Sequence, residues 1–549
     1  MNIVPAKIKK KIIEILKKHQ KFLILSSFCF LFFYFFSFSI TVTSDSGHYM
    51  SYVEILKGNM SFESWDVIRG PIFPIIILLS NILFGKTAIG LLMSNFLWYL
   101  LLLSFLFLSL KINLGLNATW KRILFILILF LTVTNPIIFG YYHTFLTEPI
   151  AITLSVVICY LSFRFILEDY NFKETKFWIY NILFAFLAIF SWFLKQPYVS
   201  IILLPVVLSA IISIINKFEI RNIFYKGFSI FICIFSLIVS IHVWDNILSS
   251  KGIDLTTNRN VKNGLGSQLI SGVDYFKIQR DSNAYSKKHV NENKYLSTEE
   301  KKLLLNSNSE NYFMVEIYNI KGEIIETEIV IKENEEIPTI KAIKFLSTSF
   351  FKYPNLILDS YFANYMAIIN VYGTYSPDGV VYHVKRGFNP RYMNENLTIA
   401  YRTFNNNENT FHMSPEKLER VTSFYQVSKP PIFLNKIMGY LCIAYNYIFK
   451  FNFILLPVFF ISSIFFKVYK TIKKERNKLL DYILLLLGYS FGYILVYTFT
   501  GMLIDRYAAP AIVTCIMGNI LFFYLMYQVL VRNRNKYNQK KHKNEKKKR

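Results

Sequence analysis

Long apolar runs with few or no charged residues recur along this 549-residue chain and constrain its fold more than any other feature. A run of roughly 17–25 such residues is long enough to cross the hydrocarbon core of a bilayer as a helix. The runs cover residues 22–42, 87–110, 123–139, 149–167, 178–194, 197–216, 227–245, 447–467, 479–500 and 507–530. The sequence therefore predicts an α-helical polytopic membrane protein with about ten transmembrane helices.

Lys and Arg give the chain a formal net charge of +26, and their positions predict which side of the membrane each loop faces. They cluster in residues 1–21, in the short loops 111–122, 217–226 and 467–478, and in residues 532–549. Because Lys and Arg flank membrane helices on the cytoplasmic side, we assign these segments, including both termini, to the cytoplasm. Such residues also attract anionic headgroups, so the charge indicates membrane lipids as partners and no nucleic acid.

This assignment divides a multi-pass protein of the cell membrane into three parts between its basic ends. An N-terminal transmembrane bundle covers 22–245, an extracytoplasmic domain covers 246–431, and C-terminal transmembrane helices cover 432–531. The charge pattern holds only if the short apolar stretch 71–85 stays at the membrane interface, and if 432–468 crosses once despite Lys450.

We expect the extracytoplasmic domain to be mixed α/β. Residues 323–331 are rich in β-branched side chains and predict a strand. Residues 345–371 are apolar and aromatic, are interrupted by Pro354, and suit the outer membrane surface. All five cysteines lie in or beside apolar runs, so the domain should fold without disulfides.

Two carboxylates are predicted at the outer membrane face. Asp45 follows the first apolar run, and Glu148 precedes the run that starts at residue 149. A carboxylate at the lip of a helix bundle is partly desolvated, so its proton affinity can be tuned for acid–base chemistry. The alternatives are a hydrated loop aspartate at 45 and an ordinary helix start at 147–149, with Thr147 as N-cap and Pro149 in the first turn.

Three cationic residues, Arg69, Lys195 and Arg506, are predicted at the same face, at the ends of apolar runs. Such groups suit the phosphate of a lipid carrier. For each one alone, snorkelling to the interface, or pairing of Arg506 with Asp505, is the better explanation. The three together favour a phosphate site.

The order of these motifs resembles that of the GT-C membrane glycosyltransferases, which include protein O-mannosyltransferases and aminoarabinose lipid A transferases. The matching motifs are Asp45-Ser46-Gly47-His48-Tyr49, Arg69-Gly70-Pro71-Ile72-Phe73-Pro74, Leu83-Phe84-Gly85, Leu146-Thr147-Glu148-Pro149, Leu194-Lys195-Gln196-Pro197 and Arg506-Tyr507 with Pro510. The resemblance covers about residues 1–220 and a short piece near 505, and it leaves the 246–431 domain unplaced.

The resemblance implies transfer of a sugar from a polyprenyl-phosphate carrier to a glycan, lipid or protein acceptor outside the cytoplasm, with inversion at the anomeric carbon. It implies that Asp45 is the base and that Glu148 supports it. The residues implied to bind substrate are His48, Tyr49, Arg69, His143, Lys195, Arg506 and Tyr507. Metal-using members often carry a second acid close to the first. Here Ser46 and Gly47 follow Asp45, so a divalent metal ion stays an open question and no cofactor is assigned.

The alternative is a membrane polymerase or transporter of lipid-linked saccharides. Transporters place ionisable residues near the bilayer midplane, whereas both acidic candidates here sit at the outer edge, which favours surface chemistry. A polymerase at the same face stays open because its substrates are alike. A receptor whose helices only anchor the outer domain would not need about ten spans.

The topology is testable with reporter fusions. Because loops with excess Lys and Arg stay in the cytoplasm, fusions at positions 115 and 540 should report the cytoplasm and a fusion at position 300 the exterior. An exterior signal at position 540 would contradict the predicted number of crossings.

Overall fold

Helices dominate the computed structural model of the chain, which describes residues 20–37, 44–65, 69–85, 88–167, 172–253, 260–279, 290–306, 312–331, 337–369, 432–473, 475–500 and 508–548. The helices up to residue 250 are α1 (Gln20–Phe36), α2 (Ser44–Leu56), α3 (Ile72–Phe84), α4 (Ala88–Lys111), α5 (Ala118–Val133), α6 (Pro136–Tyr141), α7 (Glu148–Leu167), α8 (Thr175–Leu194), α9 (Val199–Asn216) and α10 (Ile220–Ser250). Those that follow are α11 (Asn260–Ser271), α12 (Thr298–Asn306), α13 (Thr339–Lys352), α14 (Pro354–Ile369), α15 (Ile432–Ile472), α16 (Lys478–Phe499) and α17 (Ala509–Lys548).

Eight of the described helices are long and apolar enough to cross a membrane, so the chain has the architecture of a helical multi-pass membrane protein. The eight are α4, α7, α8, α9, α10, α15, α16 and α17. The predicted total of about ten transmembrane helices is not established. The predicted span 22–42 appears as α1, which has 17 residues, and the predicted span 123–139 appears as α5, which has 16.

A proline explains why the span at 123–139 is short. Pro136 cannot donate a backbone hydrogen bond to the preceding turn, and Asn135 caps the new helix α6 by accepting from the backbone N–H of Ile137. The two pieces still connect opposite ends of the bundle. Trp120 lies beside Tyr524 near one end, with ring centroids 5.0 Å apart, whereas α6 leads to Tyr142 at the other.

The central helix α7 defines the two ends of the bundle, which we name the Glu148 end and the Leu167 end. Its 20 residues correspond to a length of about 30 Å. At the Leu167 end, Lys226 donates to the carbonyl of Phe165 at 2.8 Å, and Arg476 donates to that of Ile166 at 3.2 Å. Cations are favourable at a helix C-terminus, where carbonyl groups lack helical partners.

The loops predicted to be cytoplasmic therefore meet at the Leu167 end, and residues 260–369 attach at the Glu148 end. Asn364 of α14 donates to the carbonyl of Thr498 at 3.2 Å, near the end of α16, and to that of Gly272 at 2.7 Å. Which end faces the cytoplasm stays a prediction.

Residues 260–369 combine helices with a three-stranded antiparallel sheet in the order β1 (Phe276–Gln279), β2 (Tyr312–Tyr318) and β3 (Ile324–Ile331). The strand predicted at 323–331 is confirmed as β3. Val315 and Ile317 are fully buried beneath α11, α13 and α14. Pro354 begins α14, so the interruption predicted there is also confirmed.

The polar stretch 43–70, between the first apolar run and Pro71, contains the helix α2 and a 3₁₀ turn at Phe62–Ser64. The reason is a helical spacing of apolar side chains among the polar ones. Tyr49, Tyr52 and Val53 are buried, and the Tyr52 ring stacks on that of Trp65 with centroids 4.5 Å apart. Spacings of three and four residues place such side chains on one helix face.

A buried ionic network joins α9, α15 and α16 at the Leu167 end. Lys467 lies 2.5 Å from a carboxylate oxygen of Asp481, and their side chains are 6% and 0% exposed. Asn216 donates to the other carboxylate oxygen at 2.9 Å and also accepts from Lys467. Each buried charge is thus compensated, as the low-polarity interior requires.

Removing one partner of this network should destabilise the bundle strongly. Lys467→Met leaves Asp481 buried without its ammonium partner, a situation that costs about 3–5 kcal/mol in other proteins. Thermal unfolding in detergent should show a large decrease for Lys467→Met and a smaller one for the double variant Lys467→Met/Asp481→Leu. Lys470→Met is the matched control, because Lys470 pairs with the half-exposed Glu475. Equal melting temperatures for Lys467→Met and Lys470→Met would contradict the role of the network.

Candidate functional site

Glu148 is the first residue of α7 and the most deeply buried of the predicted site residues that the structure describes. Its side chain is 0% exposed, and Lys195 Nζ lies 3.6 Å from its Oε1 atom. A carboxylate in the first turn of a helix is stabilised by the helix dipole. The helix start with Pro149 in its first turn is confirmed, so Glu148 both begins the helix and forms a buried ion pair.

Lys195 reaches Glu148 from the junction of two apolar helices. The helix α8 ends at Leu194, Lys195 has extended backbone, and a 3₁₀ turn at Gln196–Tyr198 leads into α9. Pro197 favours this break because its nitrogen carries no hydrogen and cannot continue the backbone hydrogen bonds of α8. The Lys195 side chain is 17% exposed, so its ammonium group stays reachable while it compensates Glu148.

Tyr198 completes the surroundings of the ion pair. Its hydroxyl accepts from Thr147 at 3.3 Å, and Lys195 Nζ lies 5.4 Å from the centre of its ring. Such a position over an aromatic face is favourable for a cation. Tyr198 also interacts electrostatically with Glu148, Tyr49 and Tyr497. Residues from α2, α7, α16 and the 3₁₀ turn before α9 therefore lie close enough to interact electrostatically.

The segment containing Arg69 and Gly70 packs directly on the segment that ends in Lys195. A Cβ atom at Gly70 would lie only 2.0 Å from the backbone oxygen of Phe193, so the contact admits no side chain. The guanidinium carbon of Arg69 lies 5.2 Å from the ring centre of Tyr49, and Trp65 donates to the Arg69 carbonyl at 3.0 Å. Two of the three predicted cations, Arg69 and Lys195, are thus on adjoining segments.

The remaining predicted residues differ in what the structure describes. Asp45 and His48 lie in α2, and Asp45 precedes Tyr49 by about one helical turn. The side chains of Asp45 and His48, and the whole of Arg506 and Tyr507, lie outside the described residues.

His143 is buried among aromatic rings and contacts two backbone carbonyls. Its Nδ1 lies 2.8 Å from the oxygen of Phe139 and its Nε2 lies 2.9 Å from that of Phe35. Burial lowers the pKa of His143 to about 4, against the opposing effect of the two carbonyls, so the imidazole is neutral at pH 7. His143 links α1 to α6, and its predicted contact with substrate stays a prediction.

Sequence reasoning missed several buried polar residues near the ion pair. Tyr493 and Tyr497 are one turn apart on α16, are at most 1% exposed, and have their hydroxyls 3.1 Å apart. Tyr198 directly follows the Leu194-Lys195-Gln196-Pro197 motif, in which only the lysine was predicted to bind substrate. In the sequence, Tyr493 and Tyr497 are four residues apart in an otherwise apolar run. This spacing places their hydroxyls on one face of α16 and could have identified them.

Asp245 was also missed. It is 5% exposed near the end of α10 and lines a cavity of about 10 Å³, room for about one water molecule. The other lining residues are Gly70, Trp192, Phe193, Gln196, Ile241 and Trp244. The available signal was an acidic residue at the boundary of the apolar run 227–245.

Charged groups in the apolar segments of the eight helices lie within about two turns of a segment end. This distribution leaves Glu148 and Lys195 as a polar site at one membrane boundary. Chemically, a partly accessible ammonium and a guanidinium can bind an anionic group, and a buried carboxylate can orient the ammonium. Among the residues whose side chains are described, no cluster of three or more His, Cys, Asp and Glu residues could hold a metal ion. The side chain of Asp45 is not among them, so the metal question stays open.

No family model, curated protein or solved structure matches the chain. The resemblance to GT-C glycosyltransferases therefore rests on the order of the sequence motifs.

The contact at Gly70 gives a test of how the site is assembled. Gly70→Ala would force the Arg69 segment away from Phe193, and overpacking of this kind typically costs about 1–3 kcal/mol. We expect a lower melting temperature for Gly70→Ala in detergent. Gly227→Ala in α10 is the matched control, because a Cβ there meets no atom within 4 Å. If both variants unfold at the same temperature, the contact does not constrain the two segments.

Proposed function

We propose that the chain is a membrane glycosyltransferase of the GT-C type, which transfers a sugar from a polyprenyl-phosphate carrier to a glycan, lipid or protein acceptor. The observation that carries the proposal is the meeting of four sequence motifs at the Glu148 end. Tyr49 contacts Arg69, Gly70 contacts Phe193, and Lys195 pairs with Glu148. These motifs are far apart in sequence, and their convergence is what a shared substrate site requires.

In this proposal the cations hold the lipid phosphate. Lys195 is close enough to the surface to reach an anion, and Arg69 lies on the adjoining segment. Arg506 is proposed as a third cation, and His48, Tyr49, His143 and Tyr507 as further contacts to substrate. Cationic groups at the leaving phosphate stabilise the charge that develops as the sugar–oxygen bond breaks.

Asp45 is proposed as the base. Its carboxylate accepts the proton of the acceptor hydroxyl or amine while that group attacks the anomeric carbon, and the polyprenyl phosphate leaves from the opposite side. A single displacement of this kind inverts the anomeric carbon. Asp45 lies on the same helix as Tyr49, which supports a position near the cations.

Glu148 is proposed to act through Lys195. Because Glu148 is fully buried and its Oε1 atom faces the ammonium group, it suits holding Lys195 in place better than contacting an acceptor. In the proposal it is a positioning residue, and the acceptor meets Asp45. The charged residues at the helix ends favour this surface chemistry over a transport path through the bundle.

The decisive assay measures release of polyprenyl phosphate and appearance of glycosylated acceptor, with a panel of polyprenyl-phosphate hexoses and pentoses in liposomes. Asp45→Asn keeps the size of the side chain but removes the base, so turnover should fall about 100- to 10,000-fold with donor binding preserved. Glu54→Gln on the same helix is the matched control, because Glu54 pairs with Lys57 in a partly exposed position. Turnover at the level of the unmodified protein in Asp45→Asn would refute the assignment.

Lys195→Met should chiefly weaken donor binding, by tenfold or more, since a hydrogen bond to a charged group contributes about 1.5–3 kcal/mol.

Glu148→Gln should raise the Michaelis constant for donor more than it lowers turnover if Glu148 acts through Lys195. Treatment with a chelator tests whether Glu148 instead holds a metal ion, because only a metal-dependent enzyme would lose turnover. Donor consumption that yields polymer without a separate acceptor would favour the polymerase alternative.

A further inference from the structure

The helices α13 and α14 expose large apolar side chains that the interior of residues 260–369 does not use. On α13, Ile340 is 83% exposed, Ile343 is 52% exposed and Phe351 is 86% exposed. Their spacing of three and eight residues keeps them on one side of the helix. The other side of α13 is also apolar, and there Ala342 and Phe345 pack into the core beneath the sheet.

The helix α14 continues this surface. Leu358 is 54% exposed, Phe362 is 66% exposed and Met366 is 36% exposed, at a regular spacing of four residues. Between the two helices lies an open apolar groove of about 340 Å³. It is lined by Leu346, Ser347, Phe350, Phe351, Ile357 and Tyr361.

The buried side of α14 fastens the pair to the apolar helices at the Glu148 end. Tyr365 donates to the carbonyl of Phe453 at 2.7 Å, and the Tyr361 ring lies 4.8 Å from that of Phe499. These contacts join α14 to the first residues of the apolar part of α15 and to the last residues of α16. The exposed stripe of α14 therefore begins where the apolar helices end.

The exposed stripe on α15 shows what the neighbouring surface contacts. Phe451, Ile454, Val458 and Ile461 are each 48–57% exposed and follow the same helical spacing. In a helix long and apolar enough to cross a membrane, such a stripe faces lipid. Tyr365 of α14 contacts Phe453 in the same stretch of α15, so the exposed apolar side chains of α14 lie beside a helix whose own exposed stripe faces lipid.

Polar contacts hold the helix pair in a fixed orientation toward that surface. Lys352, at the end of α13, lies 2.6 Å from Glu326 and 3.3 Å from Glu328 on β3. Tyr353 donates to Glu326 at 2.6 Å. The link between the helices is therefore fixed to the sheet, and the apolar stripes are turned to the other side.

We propose that α13 and α14 form a membrane-surface anchor, whose exposed stripes lie among the acyl chains of the leaflet at the Glu148 end. An apolar surface of this size is unfavourable in water, and a helix with one apolar face typically lies about 5–10 Å into the headgroup boundary. The anchor holds the sheet against the bilayer beside the ends of α15 and α16. This inference does not depend on the proposed transferase activity.

Fluorescence quenching in nanodiscs tests the anchor with the full-length protein. A tryptophan is introduced at one position at a time by Phe351→Trp and by Phe362→Trp, which keep an aromatic side chain. The matched control is Ile320→Trp, because Ile320 is 76% exposed at the turn between β2 and β3. The signal of the added tryptophan is obtained by subtracting the spectrum of the unmodified protein.

The added signal of Phe351→Trp and Phe362→Trp should be blue-shifted, and most of it should be lost in nanodiscs of brominated lipid, with little quenching by aqueous acrylamide. The signal of Ile320→Trp should respond in the opposite way. Quenching of all three variants by acrylamide alone would place the stripes in water and overturn the anchor. Insensitivity of the first two to both quenchers would indicate a protein partner or a second copy of the chain, and would overturn it as well.

Discussion

A charge that leaves water inside a helix bundle must meet an opposite charge, and both ends of this bundle obey that requirement. At one end Glu148 pairs with Lys195, and at the other Asp481 pairs with Lys467. The helix α7 starts at the first pair, and its final carbonyls accept from Lys226 and Arg476 near the second. Between these ends the helices carry no charge, so the polar network at each boundary fixes how the apolar helices are aligned.

The Glu148 end differs from the other in what surrounds its ion pair. Asp481 is enclosed by Lys467 and Asn216, whereas Lys195 keeps part of its surface open and lies beside an aromatic ring. The first arrangement suits a structural joint. The second suits a site that meets an anion, because its cation is compensated yet accessible. This asymmetry is the physical basis for placing the proposed chemistry at the Glu148 end.

Much of the architecture was predictable because lipid leaves few options to a backbone that must satisfy its own hydrogen bonds. Apolar runs therefore identified the helices, and the β-branched run identified β3. The break at Asn135 and Pro136 was harder to predict, since apolar composition continues through it. The helix α2 was missed because its buried Tyr49, Tyr52 and Val53 are diluted by polar neighbours, although their spacing is helical.

The sequence predicted which residues belong to the site, but not which of them contact each other. Position at the end of an apolar run singled out Glu148 and Lys195, yet nothing in the sequence states that they touch. Tyr198 was missed because a tyrosine in an aromatic-rich chain carries no distinguishing mark until its hydroxyl is seen to accept from Thr147. Pairing depends on how helices pack, and one sequence does not encode that in any local pattern.

The glycine at position 70 has a mechanical consequence. The α-carbon of Gly70 packs against the backbone of Phe193. Two segments more than a hundred residues apart in sequence therefore form one rigid surface. Because this contact is made by backbone atoms, no side chain can rotate to open a passage between the two segments. Any widening of the Glu148 end must therefore come from the other elements around the site, since the backbones that carry Arg69 and Lys195 keep a fixed separation.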